Sequence, residues 1–227
     1  MFKYETHLHT FPVSRCAQAN VEENLVFYKR LGYDGVFITN HFLDGNINID
    51  DNSKSYEEKI EFYFSDYEEG LKIGETLGIK VFCGLELSYG GTDFLVYGLN
   101  KGWFLSHPEI MNMKKREELS FLMENGALII QAHPYREDSY IDHIRLFPRN
   151  VHGVEVINAS RRDLENNMAK IYAENYNLIE FAGSDNHCAS KQRKLAGICC
   201  EEPICSVEDF INKVKENKAK IFTLINN

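Results

Sequence analysis

Thr6-His7-Leu8-His9-Thr10 closes the first segment that reads as a β-strand, Tyr4 to His9. In an extended chain residues i and i+2 point the same way, about 6.7 Å apart. His7 and His9 can therefore turn two neutral imidazoles towards one point. Working outward, other predicted strands end in the same kind of residue. His41 follows the buried run Gly35 to Thr39, and Glu86 lies near the end of Lys80 to Leu87. His133 follows Ala127 to Ala132, and Asp185-x-His187 follows Leu178 to Ala182 with the i, i+2 spacing repeated.

Between these runs lie amphipathic segments with helix punctuation. Helices are predicted over Val21–Leu31, Tyr56–Leu77 (closed by Gly78), Pro108–Glu124 (stopped by Asn125-Gly126), Asp163–Tyr176 and Val207–Glu216. Further strands fit Phe94–Gly98, Gly153–Ile157, Leu195–Cys199 and Lys218–Leu224, with Tyr89-Gly90-Gly91-Thr92 as the turn before Phe94. Short apolar runs alternating with helices predict an α/β fold with a parallel sheet, and the element count favours a closed barrel. Such barrels place their chemistry at the C-terminal ends of the strands. There is no GxGxxG after the first strand and no GxxxxGK[ST], so neither a dinucleotide nor a P-loop site is expected.

The 227 residues suit one domain, residues 1–227, with no repeat or linker segment. A net charge of −9 and a pI of about 5.4 disfavour a nucleic-acid-coating protein or an anionic membrane surface. Charged residues at 26% and apolar ones at 44% are those of a chain able to bury a core. The six cysteines, Cys16, Cys83, Cys188, Cys199, Cys200 and Cys205, form no CxxC pair and read as reduced thiols. Met1 to His7 carries no apolar stretch of signal-peptide type, and Ala127–Ile130, the longest apolar run, cannot span a bilayer. A cytoplasmic protein with no membrane partner is expected.

Singly, the histidine motifs are ordinary; a His-Pro such as His133-Pro134 often only opens a turn. Jointly, seven metal-competent side chains at five strand ends specify a metal site: His7, His9, His41, Glu86, His133, Asp185 and His187. Imidazole with carboxylate suits zinc, manganese or iron rather than calcium. His107, His143 and His152 fall on loops or helices and read as surface residues.

The strings Thr6-His7-Leu8-His9-Thr10, Ile38-Thr39-Asn40-His41, Gly84-Leu85-Glu86, Ala132-His133-Pro134 and Gly183-Ser184-Asp185-Asn186-His187 resemble, in order, the successive motifs of the PHP (polymerase and histidinol phosphatase) family. The resemblance covers residues 1 to about 190 and is specific as a set. It implies a distorted seven-stranded (β/α)7 TIM-like barrel with two or three divalent transition metal ions that hydrolyses phosphate esters. It assigns His7, His9, Glu86 and Asp185 to one ion, Glu86 and His133 to a second, and His41 and His187 to a third. Two positions depart from the family. A further His or Asp after the HxH pair is replaced by Ser14-Arg15-Cys16, and a His in the strand after the glutamate by Leu95. The second and third positions are thus each a ligand short, unless Asp93, substrate or water completes them.

The mechanism expected is attack on phosphorus by a metal-bound hydroxide, with His41, His187 or water supplying the leaving group's proton. Arg15, Arg136, Arg161 and Lys191 are the candidate phosphate-binding cations, Arg15 first because it sits beside the HxH motif. The loop Asp44–Ser55 could cover the barrel mouth or be a solvated connection. The expected substrate is a small phosphorylated metabolite, a histidinol-phosphate-like or nucleotide monoester. The alternatives are a phosphodiesterase or exonuclease on single-stranded nucleic acid, or a non-catalytic metal-binding module. Amidohydrolases also open on HxH, but commonly bridge their metals with a modified lysine, and no lysine ends a predicted strand mid-chain.

Overall fold

Local signals set the helix ends in the computed structural model, which describes residues 1–49 and 53–226. Asn20 caps α1 (Val21–Arg30) and Ser55 caps α2 (Tyr56–Leu77), each in a reciprocal capping box, with Glu23 and Glu58. Gly78 ends α2 in the left-handed conformation, φ +66°. The strands between are β1 (Phe2–Leu8), β2 (Gly35–Ile38), β3 (Lys80–Tyr89) and β4 (Thr92–Tyr97). After α3 (Lys101–Ser106) and α4 (Lys115–Glu124) come β5 (Leu128–Ala132), β6 (Gly153–Asn158), α5 (Asp163–Tyr176) and β7 (Ile179–Gly183). The chain finishes with β8 (Lys194–Cys200), α6 (Val207–Lys215) and β9 (Lys220–Ile225).

The single helix expected over Pro108–Glu124 is instead a 3-10 turn, Pro108–Asn112, followed by α4. Ile110 is buried in the core, and Met113 is extended at φ −78°, ψ 148°, which interrupts the helical ladder.

Among the described residues the sheet has nine strands in the order β7-β6-β5-β4-β3-β2-β1-β8-β9, which corrects the expected seven. Strands β1 to β7 follow chain order around a barrel wall. Beyond β7 the chain meets β1 again: Leu8 bridges Asn186, His9 N–H donates to the Asn186 carbonyl at 3.0 Å, and Asn186 N–H to that of His7 at 3.3 Å. The barrel is thereby nearly closed, and β8 and β9 extend the sheet from the outer edge of β1.

The sheet is mixed rather than parallel. β4 runs antiparallel to β3 and β5, because Gly90 and Gly91 (φ +56° and +87°) allow a two-residue turn where a parallel connection needs a crossover. β8 is antiparallel to both β1 and β9.

Inside the barrel, Tyr4, Phe37, Leu95, Tyr97, Leu128 and Phe181 form one apolar cluster. α6 stops the end near the start of β1: the Phe210 ring lies 4.3 Å from that of Phe37 and 5.1 Å from that of Tyr97. α2 packs outside the wall through Ile60, Tyr63 and Phe64. With one end plugged, the opposite end, where β1, β2, β3, β5 and β7 terminate, is left for a site. No helix among the described residues is long and apolar enough to cross a membrane.

Candidate metal centre

All seven side chains expected as ligands converge at that open end. His7 Nε2 lies 3.2 Å from His9 Nε2, 3.3 Å from Glu86 Oε1 and 3.6 Å from Asp185 Oδ1. His9 Nε2 is 3.4 Å from both Glu86 Oε2 and Asp185 Oδ1. His133 Nε2 is 3.3 Å from Glu86 Oε1, His41 Nδ1 is 2.8 Å from Glu86 Oε2, and His187 Nδ1 is 3.5 Å from Asp185 Oδ1. Among the described residues, three overlapping sets are close enough to share an ion: His7, His9 and Asp185; His7, Glu86 and His133; His9, His41 and His187. Glu86 sits between them, one oxygen towards His7 and His133, the other towards His9 and His41.

Backbone geometry makes the convergence possible. β1 is bulged between Glu5 and Leu8, and Asp185 (φ +53°) and His133 (φ +26°) occupy the left-handed region just past their strands. Such conformations cost energy in non-glycine residues and persist where surrounding contacts hold them. A side chain at Gly183 would place a Cβ 2.5 Å from that of His7 and 2.7 Å from Glu155 Oε1, so only glycine lets β7 approach this closely.

Three supporting groups escape the motif search. Glu155, fully buried, accepts from His7 Nδ1 at 3.0 Å and from the His133 backbone N–H at 3.1 Å. Ser14 Oγ donates to Asn40 Oδ1 at 2.7 Å and accepts from His9 Nδ1 at 3.1 Å. Asn40 is tied to Asp66, which also accepts from the Thr10 hydroxyl at 2.6 Å. These partners put the protons of His7 and His9 on Nδ1 and leave each Nε2 lone pair facing the cluster, as metal ligation requires. The sequence signal for Glu155 is a carboxylate between Val154 and Val156, which pack against α5.

The electrostatics match the geometry. Burial opposes charge on His7, yet Glu155, Asp185 and Glu86 outweigh it and raise its pKa well above the ordinary value. Burial, with His187 and His41 nearby, holds His9 well below its ordinary value. Glu86 and Asp185 are also penalised by burial, but the surrounding imidazoles hold both well below the usual carboxylate range. Glu86 Oε2, His41 Nδ1 and His133 Nδ1 are buried without a well-aligned hydrogen-bond partner among the described residues. Lone pairs crowded at 3.2–3.6 Å with orphaned buried atoms are what a cation would resolve, so this donor set fits divalent transition metal ions.

A cleft of about 560 Å³ opens over the cluster, lined by Cys16, Asp93, Arg136 and Arg161 besides the ligands. Arg136 Nη1 donates to Asp93 Oδ2 at 3.1 Å, and Arg161 Nη2 stands 3.8 Å from Asp185 Oδ2. The Nε atoms of both arginines are buried and lack hydrogen-bond partners among the described residues. Arg15 and Lys191, by contrast, are exposed and do not line the cleft, and Lys191 Nζ donates to Gln18 Oε1 at 3.3 Å. The residue of that loop that lines the cleft is Cys16; burial pushes its thiol pKa up, but the neighbouring His187 and His41 outweigh it and bring the pKa down to about 6.

Asp93 reaches within 3.8 Å of His133 Nε2, whereas Leu95 is buried inside the barrel opposite Glu86. Asp44, Gly45 and Asn46 line the cleft; residues 50–52 of the expected lid loop lie outside the described residues. All six cysteines are free. Of the histidines expected at the surface, only His143 is exposed: His107 stacks on Trp103, and half-buried His152 accepts from the Ile129 N–H at 3.1 Å.

No family model matches this chain. An uncharacterized protein of Methanocaldococcus jannaschii is 32% identical over 145 residues, which is 58% of this chain and 59% of that relative's length. The chain thus spans about three fifths of the curated relative it matches. Among solved structures, a two-domain protein of Bacteroides vulgatus containing a PHP-like metal-dependent phosphoesterase superposes with a TM-score of 0.70 at 15% identity, over 97% of this chain and 64% of that one. A protein of Bifidobacterium adolescentis described as a metal-dependent phosphoesterase gives 0.55 at 12% identity, covering 93% of this chain and 95% of that one. An amidohydrolase of Chromobacterium violaceum, with bound sulfate, gives 0.56 at 12% identity, over 99% and 98%. In fold, this chain shares the mixed α/β, nearly closed barrel of the structures described as PHP-like metal-dependent phosphoesterases, with nine strands among the described residues where seven were expected.

Proposed function

We propose that this chain is a metal-dependent phosphoesterase acting on a phosphate monoester of a small metabolite. The observation that carries the reading is the pairing of three overlapping ligand sets with Arg136 and Arg161 at the cleft, their Nε atoms unpartnered. His7, His9, Glu86, His133 and Asp185 would hold the divalent ions, which when bound would supply Lewis acidity and a water with its pKa lowered towards about 7.

The chain's own groups do the rest. Glu155 and Ser14 keep His7 and His9 in the ligating tautomer. Arg136 and Arg161 are the donors placed for the nonbridging oxygens of a phosphate, where a planar guanidinium offers two parallel N–H bonds. His187, whose Nδ1 donates to the Asp185 carbonyl at 2.9 Å, would pass a proton to the leaving oxygen through Nε2 whenever the outer set is free of metal. His41 is the second candidate for that role.

Two features favour a phosphate ester over an amide. The cleft has a carboxylate, Glu86, between its ligand sets, and no lysine is found among the described residues that line it. The net charge of −9 favours a small substrate over a polynucleotide. Purified protein reloaded with manganese, zinc or iron should release phosphate from at least one ester of a monoester panel, and His9→Ala should abolish both bound metal and turnover. Faster cleavage of single-stranded oligonucleotides than of any monoester would reassign it as a nuclease. Inertness with every metal and ester would leave a binding module.

A further inference from the structure

Asp93 and Arg136 are 43 positions apart, and two turns bring them together. Asp93 lies near the start of β4, just past the Gly90-Gly91 turn, opposite Ser88 on β3 and Ala132 on β5. His133 follows Ala132 in the left-handed region, at φ +26°, and Arg136 N–H donates to the His133 carbonyl at 2.9 Å. That turn returns Arg136 to Asp93, whose Oδ2 accepts from Nη1 at 3.1 Å. Asp93 is 4% exposed, so little water competes for the pair. The guanidinium carbon also stands over the Tyr140 ring, 5.4 Å from its centroid. From Asp93 to His133 Nε2 the distance is longer, 3.8 Å, and among the described residues no set close enough to share an ion includes Asp93.

The nitrogen that Asp93 takes decides what remains. A guanidinium grips a phosphate side-on through two parallel donors, Nε–H and the Nη2–H beside it, whereas Nη1 lies on the side of Cδ. Asp93 holds Arg136 by Nη1, and Nε is buried without a hydrogen-bond partner among the described residues. The side-on edge is thereby left whole. Arg161 is held the other way, since its Nη2, half of the same edge, faces Asp185 Oδ2 at 3.8 Å. Both arginines line the cleft over the cluster.

We propose that Asp93 is a positioning residue, serving Arg136 rather than the cluster, and that the guanidinium edge it presents selects phosphate monoesters over diesters. The inference rests on the phosphoesterase reading and deepens it. A monoester carries three acceptor oxygens, so two can face the Nε and Nη2 edge while one remains for the cluster. A diester has only two nonbridging oxygens, and the same grip leaves the cluster none.

Binding of inorganic phosphate to the zinc- or manganese-loaded full chain, followed by calorimetry, reads the grip without turnover. Asp93→Asn should weaken it about 10–100-fold, the worth of a charge-assisted hydrogen bond, and by no more than Arg136→Ala does. In the double variant the two losses should not add, because Asp93 acts through Arg136. Bound metal should stay at the wild-type level. Hydrolysis of p-nitrophenyl phosphate against bis-p-nitrophenyl phosphate gives a second readout: the monoester-to-diester ratio of kcat/KM should fall in both single variants. Unchanged phosphate affinity in Asp93→Asn, additive losses or loss of metal each overturns the assignment while leaving the phosphoesterase reading standing. A metal-loaded wild type that binds no phosphate and hydrolyses no ester overturns both. Should Asp93→Asn not fold, Arg136→Lys decides, since lysine keeps the charge beside Asp93 without the parallel pair of donors. Wild-type affinity and selectivity in that variant refute the inference, and loss to the level of Arg136→Ala supports it.

Discussion

The carboxylate of Glu155 on β6 accepts a hydrogen bond from Nδ1 of His7 on β1 at 3.0 Å, with both side chains fully buried. The two residues are 148 positions apart, and the strands that carry them are not neighbours in the sheet order. The contact spans the barrel and orients Nε2 of His7 towards Glu86 and Asp185. Glu155→Gln should therefore weaken metal binding about 10–100-fold while the circular dichroism spectrum is kept. Competition with a chelator measures the affinity, and an unchanged value would remove Glu155 from the site.

Arg136 and Arg161 are set apart from Arg15 and Lys191 by the cleft. Arg136→Ala and Arg161→Ala should each raise KM for a phosphate monoester on the order of 10–100-fold, the worth of a charge-assisted hydrogen bond. Arg15→Ala and Lys191→Ala should leave KM within about twofold, as expected of an exposed charge. Steady-state kinetics on the four variants tests the division, and a large effect at Arg15 would reverse it.

Glu5 is fully buried beneath the ligands, where its Oε1 accepts from the backbone N–H groups of Thr6, His7 and Ser184. Burial outweighs those bonds and pushes its pKa from the ordinary 4.5 up to about 7. A raised folded-state pKa means that the folded protein holds the proton more tightly than the unfolded chain. This contribution to stability is complete below pH 4.5 and is lost as pH rises through about 7. The shift corresponds to an amount on the order of 3 kcal/mol. In urea unfolding of the metal-free protein, Glu5→Gln should gain stability relative to wild type across that window. Parallel pH profiles for the two proteins would contradict the assignment.

Phe210 closes the barrel's far end against Phe37 and Tyr97. Phe210→Ala should cost about 3–5 kcal/mol of stability, the usual penalty for emptying a buried aromatic site. Metal content should stay at the wild-type level, because the plug contacts none of the seven ligands. Thermal unfolding and metal analysis on the same preparation separate the two effects.

The convergence of the seven side chains could be read in advance because its geometry is local. His7-x-His9 and Asp185-x-His187 share a side through strand alternation, and single ligands at the ends of successive strands meet wherever those strands form one sheet. α2 and α5 could be read to the residue, since caps and apolar spacing act within a few positions. The strand count of the barrel was less legible. Leu195–Cys199 and Lys218–Leu224 read as strands, but their local pattern does not say that they extend the sheet beyond β1 instead of standing outside it.

Arg15 and Cys16 show where local reading ends. They are adjacent, and the cation is the more natural partner for a phosphate, yet with the loop tied by Arg15 N–H to Asn46 and by Gln18 N–H to His187, Cys16 lines the cleft and Arg15 is left in solvent. A loop's facing depends on contacts with distant chain and not on a period, so one residue's difference cannot be read from the string. Glu155 obeys the same rule, since its value lies wholly in the imidazole it meets across the barrel. Seven side chains and the order of the elements that carry them follow from spacing alone. The partners that orient them, and the cations and thiol that share their cleft, come from long-range packing.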